Sequence, residues 1–169
     1  MEKERVKNML GKILSRDACA ACRFCCSFRR CSLWETPLFF EEEKKRLEGR
    51  GYAFLQKQGY GLMDLMPLYK TDDPEEEAAC FFLDPEKGCV LEDDLKPFDC
   101  KIWPLRLMNR QGNIVLALTP TCPAVNRISF DALKEFVSEG LAQAIYEYGQ
   151  KHPQMVKEYR EGFPVLHEY

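Results

Sequence analysis

The stretch Cys19-Ala-Ala-Cys22-Arg-Phe-Cys25-Cys26 places four thiols within eight residues. Two residues between successive cysteines let a chain turn so that their thiolates converge on one metal ion or one cluster. Neither helical nor strand periodicity runs through residues 17–33, so apolar packing alone does not order this segment. We therefore predict a metal-binding loop or a set of tight helical turns here.

Four more cysteines lie at the predicted ends of secondary structure elements further along the chain. Cys80 lies in a predicted short strand, Cys89 follows a turn at residues 84–88, and Cys100 and Cys122 follow a polar loop and a hairpin. Long connections can bring such positions back to the first cluster, and eight thiols suffice for two tetrahedral sites. The predicted metal ligands are Cys19, Cys22, Cys25, Cys26, Cys80, Cys89, Cys100 and Cys122.

The spacing also bears on which metal is bound. In bacterial ferredoxins a CxxCxxC run holds an iron-sulfur cubane that a remote cysteine completes, whereas structural zinc more often uses pairs of CxxC motifs. The cofactor is therefore expected to be an iron-sulfur cluster, with 4Fe-4S favoured, or zinc. Cys25 and Cys26 are neighbours that point to opposite sides of an extended backbone, so one of them belongs to a second site or is only packed. The ninth cysteine, Cys31, is expected to be a packed thiol outside the metal site.

The region from Cys19 to Cys122 resembles the CxxCxxCC cysteine-cluster family, which is described as zinc- or iron-chelating (YkgJ-like). A second block carries the same resemblance, namely Cys89-Val-Leu91, Lys96-Pro97 and Cys100-Lys-Ile-Trp-Pro104. Lysines stand at 96 and 101 where that family has arginines, and lysine cannot make the bidentate fork of arginine. The resemblance implies metal chelation and assigns no further biochemical role.

Basic residues close to the cysteines are candidates to neutralise such a centre. Four thiolates around Zn²⁺ or an oxidised four-iron cluster leave about two net negative charges, which a low-dielectric site tolerates only beside cations or N–H donors. Arg23 and Lys101 are the predicted cofactor-binding residues, and Arg29, Arg30 and Arg106 also lie near proposed ligands. The alternative is that all of these are ordinary surface side chains.

The fold class expected from the remaining pattern is α+β, in a small single domain over residues 1–169. It consists of an N-terminal helix in residues 1–16, a cysteine-rich core in 17–123 and a helical part in 129–169. A short β-hairpin is predicted around Gln111-Gly112-Asn113. Ser129 is the predicted N-cap of a helix that runs to Gln150, and a shorter helix is predicted for residues 153–160.

Composition excludes several classes of function. A net charge of -3 provides no basic surface for nucleic acid. The charged N-terminus and the short apolar runs predict neither a signal peptide nor a membrane span, so a cytoplasmic location is expected. The two histidines, His152 and His167, follow the last cysteine, which leaves histidine-based catalysis unsupported.

The sequence thus predicts a metal-binding protein whose centre is at least partly structural. The alternative is an iron-sulfur redox or S-adenosylmethionine-linked protein-modification enzyme, or an accessory subunit of one. Metal storage or delivery is a third class, which would require labile thiolates. Whether the chain is an enzyme, and whether it has a protein partner, stay open at this point.

Overall fold

A computed structural model describes Val6 and residues 9–169. Residues 1–5, 7 and 8 of the predicted N-terminal helix lie outside the described residues, and Val6, Met9 and Leu10 are helical. Residues 11–14 form a turn, and the next helix begins at Arg16. Among the described residues, no helix has the length and apolar character needed to cross a bilayer.

The chain forms two compact units. One consists of Met1–Cys19 and Lys101–Tyr169, and the other of Ala20–Cys100. Both contain strands and helices, and the predicted α+β class is confirmed.

The elements up to Cys100 are short and are mostly paired in small antiparallel sheets. They are helix α1 (Arg16–Cys22), strand β1 (Ser27–Arg29), β2 (Phe39–Phe40), helix α2 (Glu41–Glu48), β3 (Phe54–Lys57), β4 (Tyr60–Met63), β5 (Glu77–Ala79), β6 (Leu83–Asp84), β7 (Gly88–Cys89) and helix α3 (Phe98–Ile102). Strand β1 pairs with β5, β6 pairs with β7, and the third sheet has the order β2-β4-β3. Three 3₁₀ turns, Phe24–Cys26, Leu33–Glu35 and Met66–Leu68, connect these elements.

One apolar cluster holds the Ala20–Cys100 unit together. Its buried members are Phe28, Phe39, Leu47, Met63, Leu65, Tyr69, Ala78, Phe82, Leu91 and Leu95. The partly buried Cys80 and Cys89 pack against it. Two of the cysteines therefore lie at the edge of a hydrophobic core.

The second unit is built on a four-stranded sheet of order β10-β8-β9-β11. Its elements are β8 (Leu105–Arg110), β9 (Asn113–Leu118), helix α4 (Phe130–Phe136), helix α5 (Ala142–Lys151), β10 (Lys157–Glu158) and β11 (Val165–Glu168). Strands β8 and β9 are the predicted hairpin, with Arg110 opposite Asn113. Gln111 and Gly112 both have positive φ, at 55° and 93°, as a two-residue type I′ turn requires. The predicted hairpin is confirmed.

The predicted long helix begins as expected but is interrupted. The Ser129 hydroxyl accepts a hydrogen bond from the N–H of Ala132 at 3.3 Å, which confirms the N-cap. The prediction of one continuous helix is wrong, because Glu139 and Gly140 leave the helical conformation between α4 and α5. Gly140 has φ 109°, a value that a residue without Cβ adopts at little cost.

The shorter helix predicted for residues 153–160 is also wrong. Only a 3₁₀ turn forms at Pro153–Met155, and the chain then pairs as β10 in parallel with Met108 and Asn109 of β8. The N–H of Tyr159 donates to the carbonyl of Asn109 at 3.0 Å. Sheet hydrogen bonds thus replace the helical ones, because an open strand edge is available next to this segment.

The contact between α5 and β8 leaves no room for a side chain at Gly149. A Cβ there would lie 2.3 Å from Cδ1 of Leu107, whereas contacting carbons prefer about 3.5–4.0 Å. Leu107 is 1% exposed, so any movement of its Cδ1 takes place within the packed core.

We therefore expect Gly149→Ala to lower the free energy of unfolding in urea by about 1–3 kcal/mol through overpacking. This loss exceeds the gain of up to about 1 kcal/mol that alanine gives a helix. The control is Gly49→Ala, where φ is -62° and the added Cβ would make ordinary contacts at 3.5 Å. That variant should be neutral or more stable, and equal losses in both variants would contradict this packing.

Candidate thiol centre

Six of the eight predicted ligands belong to the Ala20–Cys100 unit, whereas Cys19 and Cys122 belong to the other. None of the nine cysteines, all within the described part of the chain, forms a disulfide. Cys22 and Cys100 are exposed, and Cys25, Cys26, Cys80 and Cys89 are partly buried.

The CxxCxxCC stretch forms tight helical turns, in agreement with one of the two conformations predicted for it. Helix α1 ends at Cys22, and Arg23 takes the left-handed conformation with φ 53°. The 3₁₀ turn Phe24–Cys26 follows, closed by a hydrogen bond of 3.0 Å from the N–H of Cys26 to the carbonyl of Arg23. The chain then enters β1 directly, so that Cys26 is the residue that precedes a strand.

The ribbon of β1 and β5 brings Cys26 and Cys80 opposite each other. Ser27 pairs with Ala79, and the N–H of Cys80 donates to the carbonyl of Cys26 at 2.8 Å, which continues the ladder by one residue pair. Cys80 packs against the core that buries Phe28, and Cys26 is partly buried. The predicted strand over residues 79–83 is therefore shifted, since β5 ends at Ala79 and Cys80 begins a turn.

Cys89 reaches the same region on the β6–β7 hairpin. The predicted turn at 84–88 is confirmed: the Asp84 carboxylate accepts hydrogen bonds from the N–H groups of Glu86 and Lys87 at 2.8 and 2.7 Å. Across the hairpin Leu83 is paired with Cys89. The N–H of Leu83 also donates to the carbonyl of Cys80, which ties the hairpin to the end of the ribbon.

Backbone pairing places Cys26, Cys80 and Cys89 near one another in the Ala20–Cys100 unit. The pKa of Cys80 is raised from 9.0 to about 12, chiefly by burial and in smaller part by the negative charges that Cys26 and Cys89 carry as thiolates. A hydrogen bond from the backbone N–H of Phe82 acts in the opposite direction and stabilises the thiolate. Cys26, Cys80 and Cys89 are hereafter called the thiol centre.

The end of α1 packs beside the hairpin that carries Cys89. A Cβ at Gly88 would lie 3.1 Å from the Cβ of Ala20. The pKa of Asp84 is lowered, first by the N–H groups of its own turn and also by the charge of Arg23. The guanidinium of Arg23 thus faces the hairpin while its Nε donates to the carbonyl of Ala20 at 3.1 Å.

The other basic candidates do not share this position. Arg29 forms salt bridges with Glu75 and Glu77, at 3.1 and 3.7 Å, and Arg30 bonds to Thr71 and Asp72. These pairs connect β1 and the residue after it to the mostly exposed acidic run 72–77.

In the other unit, Arg106 is 3% exposed and lies 4.7 Å from the centre of the Trp103 ring. Lys101, the second predicted cofactor-binding residue, lies partly buried in α3. Its role as a charge partner stays a prediction.

Cys31 differs from the packed thiol that was expected. It is exposed, and its Sγ donates to a carboxylate oxygen of Glu75 at 3.4 Å. The run of carboxylates at 72–77 was the signal for such a contact, since Cys31 follows the two arginines that this loop binds.

One neighbour of the thiol centre has no sequence signal. The thioether sulfur of Met63, 3% exposed, lies 3.7 Å from the Cys80 sulfur. Met63 is the last residue of β4 and lies far in sequence from any cysteine motif. The pairing of β4 in its sheet brings Met63 next to Cys80.

Within the described residues, the side chains as placed do not form a complete metal site. Across Val6 and residues 9–169, no three side chains of the types His, Cys, Asp and Glu are close enough to hold a metal ion as placed. The thiol centre therefore has the donor type of a metal site without its coordination geometry.

The comparisons with known proteins are negative. No protein-family model matches this chain, and no similar chain is found among curated proteins or among solved structures. The resemblance to the CxxCxxCC family therefore rests on the sequence motifs alone.

The raised pKa of Cys80 predicts an order of reaction with alkylating agents. At mildly alkaline pH only about one Cys80 thiol in 10⁴ is a thiolate, and the thiolate is the nucleophile. In metal-free folded protein we expect iodoacetamide to label the exposed Cys22 well before Cys80, as read by peptide mass spectrometry. The unfolded chain should lose this difference, and equal rates in the folded protein would contradict the burial of Cys80.

The folded acidic loop predicts a pH effect at Glu76. Its carboxylate accepts hydrogen bonds from the N–H groups of Lys70 and Thr71, which lowers its pKa below the ordinary 4.5. A lowered pKa contributes stability above about pH 4.5 that is lost as the pH falls through the folded-state value.

Glu76→Gln should accordingly be less stable than the parent protein at neutral pH, with a difference that shrinks below pH 4.5 in denaturation curves. Glu86→Gln is the control, because this exposed glutamate lies in the turn after Asp84. A Glu76 difference that is constant with pH would contradict the assignment.

Proposed function

We propose that this protein binds a metal through the thiol centre, and that the bound metal holds the Ala20–Cys100 unit in its folded form. The observation that carries the proposal is the register of the backbone, which places Cys26 opposite Cys80 and ties the hairpin that carries Cys89 to the Cys80 carbonyl. Further candidate ligands in the same unit are Cys22, Cys25 and Cys100.

The chemistry of three adjacent thiols supports a metal. Left as neutral groups, they are weak hydrogen-bond formers at the edge of a core, and Cys80 titrates only at a pKa of about 12. A divalent cation or a cluster iron favours the thiolate form instead. Coordination deprotonates the thiols, and the positive charge of the metal offsets the repulsion between the thiolates. The N–H group of Phe82 already faces the Cys80 sulfur, as donors do around metal-bound thiolates.

The small size of the sheets supports a structural role. An isolated two-stranded ribbon is marginally stable in water, and two of the three sheets in this unit are two-stranded, β1–β5 and β6–β7. A metal bound by Cys26, Cys80 and Cys89 would link the end of one ribbon to the other. Its binding free energy would then add to the folding free energy of the unit.

The donor set narrows the choice of metal to a thiophilic one. Thiolates select zinc and iron-sulfur clusters over hard cations such as Mg²⁺ and Ca²⁺. An iron-sulfur cluster, 4Fe-4S first, or zinc are the proposed occupants, in accordance with the CxxCxxC spacing. A reducing compartment such as the cytoplasm would keep these thiols available.

The test is metal content and stability of protein purified without oxygen. We expect stoichiometric zinc in a colourless protein or iron and sulfide in a brown one, and a lower melting temperature after chelation. Cys26→Ser, Cys80→Ser and Cys89→Ser should each weaken binding by more than the about 10–100-fold that loss of an outer partner costs.

The matched control is Cys31→Ser, which removes a thiol of the same unit that bonds to Glu75. It should keep its metal and its melting temperature. Normal metal content in all three serine variants of the thiol centre, or unchanged stability after chelation, would contradict the proposal.

A further inference from the structure

We infer that, when the thiol centre holds no metal, Cys26 and Cys80 are an oxidisable dithiol that closes to a disulfide across the β1–β5 ribbon. This inference concerns the regulation of the proposed metal site. It rests on the proposed function only where it invokes protection by metal, since the pairing of the two cysteines is a property of the backbone.

The register of the ribbon gives the geometry. The pairs Ser27 with Ala79 and Phe28 with Ala78 are followed by the hydrogen bond from the Cys80 N–H to the Cys26 carbonyl at 2.8 Å. Residues directly opposite each other in an antiparallel ladder have Cα atoms about 4.5–5.5 Å apart. Disulfides span Cα separations of about 4.4–6.8 Å, so this pair needs little backbone movement.

The third thiol is placed less favourably for the same reaction. Cys89 is opposite Leu83 in its hairpin, and a turn separates Leu83 from Cys80. Among the three residues of the thiol centre, a backbone pairing fixes only Cys26 and Cys80 directly opposite each other. Cys80 also packs against the core that buries Phe28 and Ala78, and Cys26 is partly buried.

The oxidation balances with a peroxide as the oxidant. One thiolate attacks a peroxide oxygen and becomes a sulfenic acid, and the O–O bond breaks to release one water from hydrogen peroxide. The second thiol then attacks the sulfenic sulfur, the S–S bond forms, and a second water leaves. Two thiol hydrogens and two electrons pass to the peroxide, which yields two waters in all.

The consequence is that oxidation and metal binding exclude each other. A disulfide sulfur has lost the thiolate that a metal requires, so the cross-link removes two ligands at once. A bound metal conversely occupies both sulfur atoms and limits their reaction with peroxide. The oxidation state of this single pair would thus decide whether the centre binds metal.

The experiment treats the full-length metal-free protein with hydrogen peroxide and maps its cross-links by mass spectrometry after proteolysis without reductant. We expect a Cys26–Cys80 disulfide in the parent protein, in Cys89→Ser and in the control Cys31→Ser. Dithiothreitol should reverse it, and metal loading beforehand should slow it at least about tenfold if metal release limits the reaction.

Three other outcomes would each contradict one of the two proposals. A cross-link that joins Cys80 to Cys89, or separate sulfinic acids with no cross-link, would overturn the dithiol pairing. If the Cys26–Cys80 cross-link forms equally fast with and without metal, the dithiol stands and the proposed metal centre fails. If metal binds to the thiols but peroxide leaves the metal-free protein uncross-linked, the proposed function stands and this inference fails.

Discussion

Where strands β1 and β5 end, the N–H of Cys80 donates to the carbonyl of Cys26 and places the two cysteines opposite each other. The β6–β7 hairpin, tied to the Cys80 carbonyl by the N–H of Leu83, carries Cys89. An apolar cluster holds this unit together, and in the proposed function a metal bound by these three cysteines adds to that stability. Neutral thiols contribute packing alone, whereas metal-bound thiolates would join segments far apart in sequence.

The basic residues that lie near the cysteines in sequence serve different partners. Arg29 and Arg30 fasten the acidic loop to the start of the unit, and Arg23 turns toward Asp84 at the hairpin. Arg23 lies near the hairpin that carries Cys89, whereas Arg29, in the β1–β5 ribbon, is paired with carboxylates of the acidic loop. Proximity in sequence alone overestimates the positive charge near the cysteines, because carboxylates elsewhere in the chain pair with the guanidinium groups of Arg29 and Arg30.

Local patterns predicted those parts of the fold that short-range physics decides. The β8–β9 hairpin follows from the turn at Gln111 and Gly112, and Ser129 caps its helix because its hydroxyl accepts a hydrogen bond from the N–H of Ala132. The break at Gly140 and the strand β10 depended on tertiary contacts that no local pattern records. At the candidate site, the cysteines are evident from the sequence but their pairing is not, because the register of β1 with β5 decides which thiols are opposite each other.

The most direct measurement is X-ray absorption at the metal edge of protein purified without oxygen. If Cys26, Cys80 and Cys89 hold the ion, its nearest shell consists of sulfur, at about 2.3 Å for zinc, and Cys89→Ser replaces one of those sulfur atoms by a lighter scatterer. A shell dominated by oxygen or nitrogen, or a spectrum that does not change in Cys89→Ser, would contradict the account.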